Sequence, residues 1–102
     1  GDGDGGPVGQ DAIAGKTIGL YFSAHWCPPC RRFTPELAKT YRAMRAAGVL
    51  DFEIVFVSSD RNEADYRTYL REMPWLALPY GSAAGEELSG RFGISGVPSL
   101  VI

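Results

Sequence analysis

Hydrophobic and polar residues follow two kinds of pattern along this chain, short apolar runs and longer helical repeats. Residues 17–23 and 52–58 are mostly apolar. Runs of this length and composition are typical of parallel strands that are covered on both faces. Between them, apolar residues recur every three or four positions from about residue 30 to residue 47, which predicts an amphipathic helix. The predicted core-facing residues of this helix are Phe33, Leu37, Tyr41 and Met44.

The second half of the chain continues the alternation of helices and strands. Asp60 or Asn62 can cap a second helix, and Glu63 or Asp65 can complete a capping box. This helix should end before Pro74. Beyond it we expect a short strand or loop at 75–80, a short helix at 86–92, a loop at 93–98 and a strand at 99–102. Helices between strands predict a parallel sheet core with right-handed crossovers.

Composition points to one ordinary globular domain. The chain has 102 residues, 45% hydrophobic and 22% charged, with a formal net charge of −2. This charge gives no electrostatic reason to expect nucleic acid or a membrane as a partner. The Gly- and Asp-rich beginning predicts a flexible leader or linker at 1–14, before a domain at 15–102. We see no basic region followed by an apolar core, and therefore expect no secretory signal.

The only two cysteines, Cys27 and Cys30, stand in the motif Trp-Cys-Pro-Pro-Cys. The motif follows a predicted strand and opens a predicted helix, which is the layout of a thiol–disulfide redox site. Two cysteines one helical turn apart can close a small disulfide, and a helix N-terminus favours a thiolate. Because both cysteines belong to one motif, we expect a functional pair in a reducing compartment, the cytoplasm or the nucleus.

A zinc site is the alternative use of these cysteines. Zinc prefers four ligands, and His25 with the two cysteines supplies three, so a dimer would have to share the metal. A haem site of the Cys-x-x-Cys-His type is excluded because Arg31 follows Cys30. The sequence therefore favours redox chemistry and predicts neither a metal nor a bound cofactor.

Several segments together resemble a known family. They are YFSAHWCPPCR at 21–31, FTP at 33–35, FEIVFVSSD at 52–60, MPWLALP at 73–79 and GVPSL at 96–100. These segments resemble the thioredoxin fold and, within it, the nucleoredoxin and tryparedoxin branch. His25, directly before the tryptophan, leans toward nucleoredoxin.

The resemblance implies an α/β, thioredoxin-like three-layer fold with a central mixed β-sheet, which in this chain lacks its last strand and helix. It also implies that Pro98, after Val97, is a cis-proline facing the disulfide. Cys27, the more exposed and N-terminal thiol, is expected to attack, and Cys30 to resolve the mixed disulfide. The other support residues that we assign to the site are Trp26, Pro28 and Pro29, which shield the disulfide and stiffen the turn.

The expected activity is the reduction of protein disulfides. An external thiol reductant, either a thioredoxin reductase-like protein or a low-molecular-weight dithiol, would then recycle the protein. The alternative is a redox-sensitive binding module of the nucleoredoxin type, which holds a client and releases it on oxidation.

One position departs from ordinary thioredoxins. Six residues before the first cysteine, where they hold a buried aspartate, this chain has Tyr21. The base for Cys30 is therefore open. Asp60 is one candidate because it ends a neighbouring parallel strand at the same sheet edge. The alternatives are that Asp60 is only a helix cap and that bulk water takes the proton.

Overall fold

A computed structural model describes residues 15–102 of the chain; the predicted leader at 1–14 lies outside them. In chain order, the elements are β1 (Thr17–Ser23), α1 (Pro28–Ala46), β2 (Phe52–Ser58), α2 (Glu63–Leu70), β3 (Leu76–Ala77), α3 (Ala83–Arg91) and β4 (Ser99–Val101). The two long strands have the bounds predicted from their apolar runs. The first helix begins two residues earlier than expected, because prolines fit the first positions of a helix, where their missing N–H is not needed.

The four strands form one mixed sheet in the order β3-β2-β1-β4. Strands β1 and β2 pair in parallel along their whole length, from Thr17 opposite Phe52 to Ser23 opposite Ser58. Strand β3 is also parallel to β2, whereas β4 runs antiparallel to β1. The carboxyl ends of the two central strands therefore meet at one edge, where the segment with the two cysteines leaves β1.

Helices cover both faces of the sheet. On one face, the rings of Tyr21 and Phe56 contact each other and reach Phe33 of α1 and Tyr69 of α2. Side chains alternate along a strand, so Val57 points to the face opposite that of Phe56, where α3 approaches closely. There, a Cβ built on Gly85 would lie 3.3 Å from a methyl group of Val57. The result is a three-layer α/β arrangement.

The buried face of α1 differs from the predicted one. Its buried residues are Cys30, Thr34, Ala38 and Tyr41. Of the four residues predicted to face the core, Tyr41 alone is buried, and Phe33 is 39% exposed. The predicted face was therefore wrong, because the buried face is displaced from it by about one residue along the helix. Thr34 can occupy the core because its hydroxyl has buried hydrogen-bond partners.

The helix ends follow local rules. Asn62, not Asp60, is the N-cap of α2, and its side chain accepts a hydrogen bond from the Asp65 backbone N–H at 2.9 Å. After α1, Gly48 adopts a φ of +85°, a conformation that glycine reaches without strain. Among the helices that the structure describes, none is long and apolar enough to cross a bilayer.

Candidate functional site

Cys27 is the N-cap residue of α1, and its sulfur accepts a hydrogen bond from the backbone N–H of Cys30 at 3.4 Å. Pro28 and Pro29 occupy the first two helical positions and have no N–H to offer. The Cys30 N–H is therefore the first free donor of the helix, and it points at the Cys27 sulfur. The sequence Cys-Pro-Pro-Cys thus directs a helix N-terminus onto one thiol.

Cys30 lies one turn into the helix and is fully buried, whereas Cys27 is 5% exposed. Both are free thiols in this structure. Burial raises the pKa of the Cys30 thiol, and its hydrogen bond with Cys27 raises it further. Hydrogen bonds with the Ser23 side chain and the Ala24 backbone act in the opposite direction and lower this pKa. Proton loss from Cys30 therefore depends on a few buried neighbours.

The loop before β4 forms the opposite wall of the site. The Cys27 thiol donates to the carbonyl oxygen of Val97, with a sulfur–oxygen distance of 3.6 Å. The next peptide bond, between Val97 and Pro98, is cis, as the resemblance implied. The structure thus brings together two segments that are 70 residues apart in the sequence.

Trp26 lies at the rim of the site with 41% of its surface exposed. Its indole N–H donates to the carbonyl oxygen of Ser59 at 2.9 Å, which fixes the ring over the end of β2. The guanidinium carbon of Arg61 lies 4.8 Å from the ring centroid, a cation–π geometry. The site therefore presents a held aromatic surface beside the cysteines.

Asp60 is buried and engaged through both carboxylate oxygens. Oδ1 accepts from the backbone N–H of His25 at 2.6 Å, and Oδ2 accepts from the Ser58 hydroxyl at 2.6 Å. In the structure, Asp60 anchors the segment that carries the cysteine motif to the end of β2.

Comparisons with known proteins identify the family of this site. A family model described as thioredoxin-like matches residues 15–102. The chain belongs to this thioredoxin-like family. It is 49% identical over 90 residues to a probable nucleoredoxin 3 from Oryza sativa subsp. japonica, covering 88% of this chain and 19% of that protein. It is 46% identical over 97 residues to a tryparedoxin from Trypanosoma brucei brucei, covering 94% of this chain and 66% of that protein.

A solved structure of a tryparedoxin II complexed with glutathionylspermidine has a TM-score of 0.86 and 40% identity, covering 98% of this chain and 69% of that chain. The predicted thioredoxin-like fold and the nucleoredoxin and tryparedoxin branch are therefore confirmed. The chain spans about a fifth of the length of the nucleoredoxin relative and about two thirds of the tryparedoxins.

Behind the cysteines of this thioredoxin-like domain lies a feature that the sequence did not lead us to expect. The hydroxyl of Tyr69 is hydrogen-bonded to those of Ser23, at 2.7 Å, and Thr34. Tyr21 adds a fourth hydroxyl, 2.6 Å from that of Thr34. All four residues are fully buried. We call this series, Ser23–Tyr69–Thr34–Tyr21, the hydroxyl chain.

Two signals in the sequence could have pointed to the hydroxyl chain. Ser23 is a polar residue that closes an apolar strand, and Thr34 stands four positions after Cys30, on the same face of the helix. Tyr69 lies in the core, but its hydroxyl partners come from two other elements.

The described residues 15–102 contain no cluster of three or more His, Cys, Asp or Glu side chains suited to a metal ion. The arrangement of the two thiols is instead suited to dithiol–disulfide exchange, in which a thiolate attacks a disulfide sulfur.

Proposed function

We propose that this protein reduces protein disulfides through its Cys27–Cys30 pair. The Cys27 thiolate attacks one sulfur of the substrate disulfide, whose S–S bond breaks as a mixed disulfide forms. Cys30 then loses its proton and attacks the Cys27 sulfur. The Cys27–Cys30 bond forms, and the second substrate sulfur leaves and takes up a proton. The substrate gains two electrons and this protein loses two.

One observation carries the proposal. The Cys27 sulfur stands at the N-terminus of a 19-residue helix and accepts the first free N–H of that helix. The helix thus directs a free N–H and the positive end of its dipole at the sulfur that attacks in disulfide exchange. Cys30 follows one turn later and is shielded from solvent, which suits a thiol that reacts only within the mixed disulfide.

We also propose an external thiol as the reductant that recycles the oxidised pair. The family connection supports a thiol reductant in general, and one related tryparedoxin II structure is complexed with glutathionylspermidine. For this protein, a thioredoxin reductase-like protein and a low-molecular-weight dithiol are both compatible with the site, and recycling assays with each would distinguish them.

Insulin reduction by the wild type and two variants tests the proposed activity. We expect Cys27→Ser to abolish turnover, because no thiolate remains to begin the exchange. We expect Cys30→Ser to accumulate a covalent mixed disulfide that mass spectrometry detects. Reduction of insulin by Cys27→Ser at the wild-type rate would overturn the proposal.

A redox-sensitive binding module is the second candidate, and the exposed face of Trp26 favours it. This ring is held by Ser59 and covered on one side by Arg61, so it can offer a preformed contact to a client protein. For this candidate, we expect client binding to persist in a variant without either cysteine and to weaken in Trp26→Ala. Binding that requires a cysteine would instead favour covalent exchange.

A further inference from the structure

The resolving step requires a negatively charged sulfur in the buried interior. Cys30 must become a thiolate at a position with no solvent exposure, and burial in a low-dielectric environment disfavours a charged sulfur. Ordinary water cannot solvate it there, so protein groups must supply the hydrogen bonds.

The hydroxyl chain lies beside Cys30, because Thr34 follows Cys30 by one helical turn on the buried face of α1 and is bonded through Tyr69 to Ser23. The Ser23 hydroxyl, at the end of β1, lowers the pKa of the Cys30 thiol. A serine hydroxyl can donate one hydrogen bond and accept others, and its hydrogen rotates to suit its partners. The oxygen of Ser23 is in turn 2.7 Å from the hydroxyl of Tyr69. Ser23 is therefore the end of the hydroxyl chain that acts on Cys30.

The hydrogen bonds of the hydroxyl chain can run in either of two directions. Four hydroxyls carry four protons, but they share only three mutual hydrogen bonds, and in each bond either oxygen can donate. If every hydroxyl donates toward Ser23, the Ser23 proton is left free to donate to Cys30. If every hydroxyl donates toward Tyr21, the Ser23 oxygen is free to accept from the Cys30 thiol. Rotation of hydroxyl hydrogens alone converts one state into the other.

We propose that Ser23, oriented by Tyr69, donates a hydrogen bond to the Cys30 thiolate and so promotes the resolving step. This inference rests on the proposed disulfide-reducing function and assigns one of its catalytic residues. Cys30 loses a proton and the departing substrate sulfur takes one up, and the Cys27–Cys30 bond forms as the mixed disulfide breaks. Tyr69 acts through Ser23 and is a positioning residue.

The other titratable groups around Cys30 come from three elements. Cys27 lies at the start of the same helix, Tyr21 belongs to β1 and Tyr69 to α2. The chain's single histidine, His25, packs against the Tyr69 ring at a centroid distance of 5.5 Å. Burial raises the pKa of the Tyr69 hydroxyl, which therefore keeps its proton and remains a donor.

A stopped-flow reaction with equimolar Ellman's reagent separates the two steps of the exchange. The first release of thionitrobenzoate reports attack by Cys27, and its rate should rise with reagent concentration. The second release reports attack by Cys30 on the mixed disulfide, and its rate should not depend on concentration. The pH dependence of the second phase then reports the ionisation of Cys30.

We expect Ser23→Ala to slow the second phase roughly ten-fold at neutral pH and to raise its pH midpoint by about one unit, as for loss of a hydrogen bond to a charged group. The first phase should change by less than about two-fold, because no sulfur contact of Cys27 is lost. Tyr69→Phe should slow the second phase about three-fold, the effect of a lost neutral hydrogen bond.

Tyr66→Phe is the matched control for Tyr69→Phe. Tyr66 is buried on the same helix, but its hydroxyl donates to the Leu78 carbonyl at 2.7 Å rather than to the hydroxyl chain. This variant loses a buried hydrogen bond and should keep the wild-type pH midpoint. Urea unfolding of each variant shows whether it is folded at the conditions of the kinetic assay.

The possible failures are distinguishable. A wild type that shows the first phase and no second phase overturns the proposed function itself. A second phase in folded Ser23→Ala with the wild-type rate and pH midpoint overturns the role of Ser23 and leaves the disulfide-reducing function standing. An equal shift of the midpoint in Tyr66→Phe and Tyr69→Phe also overturns the inference, since it would mark a general effect on packing.

Discussion

At the start of β2, the buried Glu53 places a carboxylate in the core, whereas near the end of β1 the hydroxyl chain beside Cys30 contains only neutral groups. Oε1 of Glu53 accepts from Tyr41, at 2.7 Å, and from a backbone N–H. Oε2 accepts from Arg45 at 2.6 Å. We call Tyr41, Arg45 and Glu53 the ionic cluster. It pairs a carboxylate with a guanidinium, and its donors are fixed by the positions of their heavy atoms.

The ring of Trp75 lies between the two clusters. It makes edge-on contacts with Tyr21 of the hydroxyl chain and with Tyr41 of the ionic cluster, both at centroid distances of 5.7 Å. The Trp75 ring thus separates the two clusters. The Ser23 hydroxyl can reorient its hydrogen when a charge forms at Cys30. The comparison indicates that the ionic cluster stabilises the fold, while the hydroxyl chain can respond to a change in charge.

Removing the fixed charge should have the largest effect on stability. We expect Glu53→Ala to lower the free energy of unfolding by about 2–3 kcal/mol, because the Tyr41 hydroxyl loses its acceptor and Arg45 loses its carboxylate partner while keeping the Tyr41 oxygen. Part of the loss is offset because the Arg45 side chain is 30% exposed and can regain water. Urea unfolding measures the effect, with the exposed Glu36→Ala of α1 as control. A slower second phase in folded Glu53→Ala would show that the two clusters are coupled.

Alkaline pH should weaken the ionic cluster next. Burial, followed by the hydrogen bond with Glu53, raises the pKa of Tyr41 from 10.0 to about 12. The folded protein therefore holds a proton that the unfolded chain has lost, so this contribution is complete below pH 10 and disappears as the pH rises to about 12. We expect stability to fall by about 2 kcal/mol across that window.

Tyr41→Phe isolates this contribution. It should show a smaller fall in unfolding free energy between pH 10 and about 12 than the wild type. Tyr66 and Tyr69, whose pKa values burial also raises, should account for the remaining slope. Equal slopes in the wild type and Tyr41→Phe would contradict the assignment.

Interrupting the hydroxyl chain should cost less stability but change the chemistry. Thr34→Val keeps the side-chain shape and removes the middle hydroxyl, so Tyr21 and Tyr69 each lose a hydrogen bond. We expect a loss of about 1 kcal/mol in unfolding free energy and a second phase about two- to three-fold slower. Thr40→Val, at an exposed position of the same helix, should change neither. A normal second phase in folded Thr34→Val would show that Ser23 acts without the rest of the chain.

The contrast between the clusters also explains what the sequence could predict. The strands Thr17–Ser23 and Phe52–Ser58 were predicted with the observed bounds, because apolar runs report burial on both faces directly. The face of α1 was misjudged because Thr34 is polar and is buried only with partners 13 and 35 residues away. Hydrophobic periodicity contains no information about such distant hydroxyl pairs.

In the candidate site, too, local features could be predicted from the sequence and contacts between distant residues could not. Cys27 and Cys30 could be placed at a helix start because the motif is local in the sequence. The contact between Cys27 and Val97 was inferred from the family resemblance, since nothing local connects residues 70 positions apart. The effect of Ser23 on Cys30 depends on how β1 and α1 pack, and no residue spacing predicts it.

The smallest expected effect concerns Asp60, which sits at the site but belongs to neither cluster. Because its carboxylate accepts from the His25 backbone N–H and the Ser58 hydroxyl, Asp60→Asn can retain the first bond through its amide oxygen. Its amide N–H can then donate to the Ser58 oxygen. We expect a loss below about 1 kcal/mol, with the pH midpoint of the second phase unchanged. The exposed Asp51→Asn is the control for charge alone. A marked rise of that midpoint in Asp60→Asn would assign the Cys30 proton to Asp60 and reverse the comparison, since a fixed charge would then take part in the chemistry.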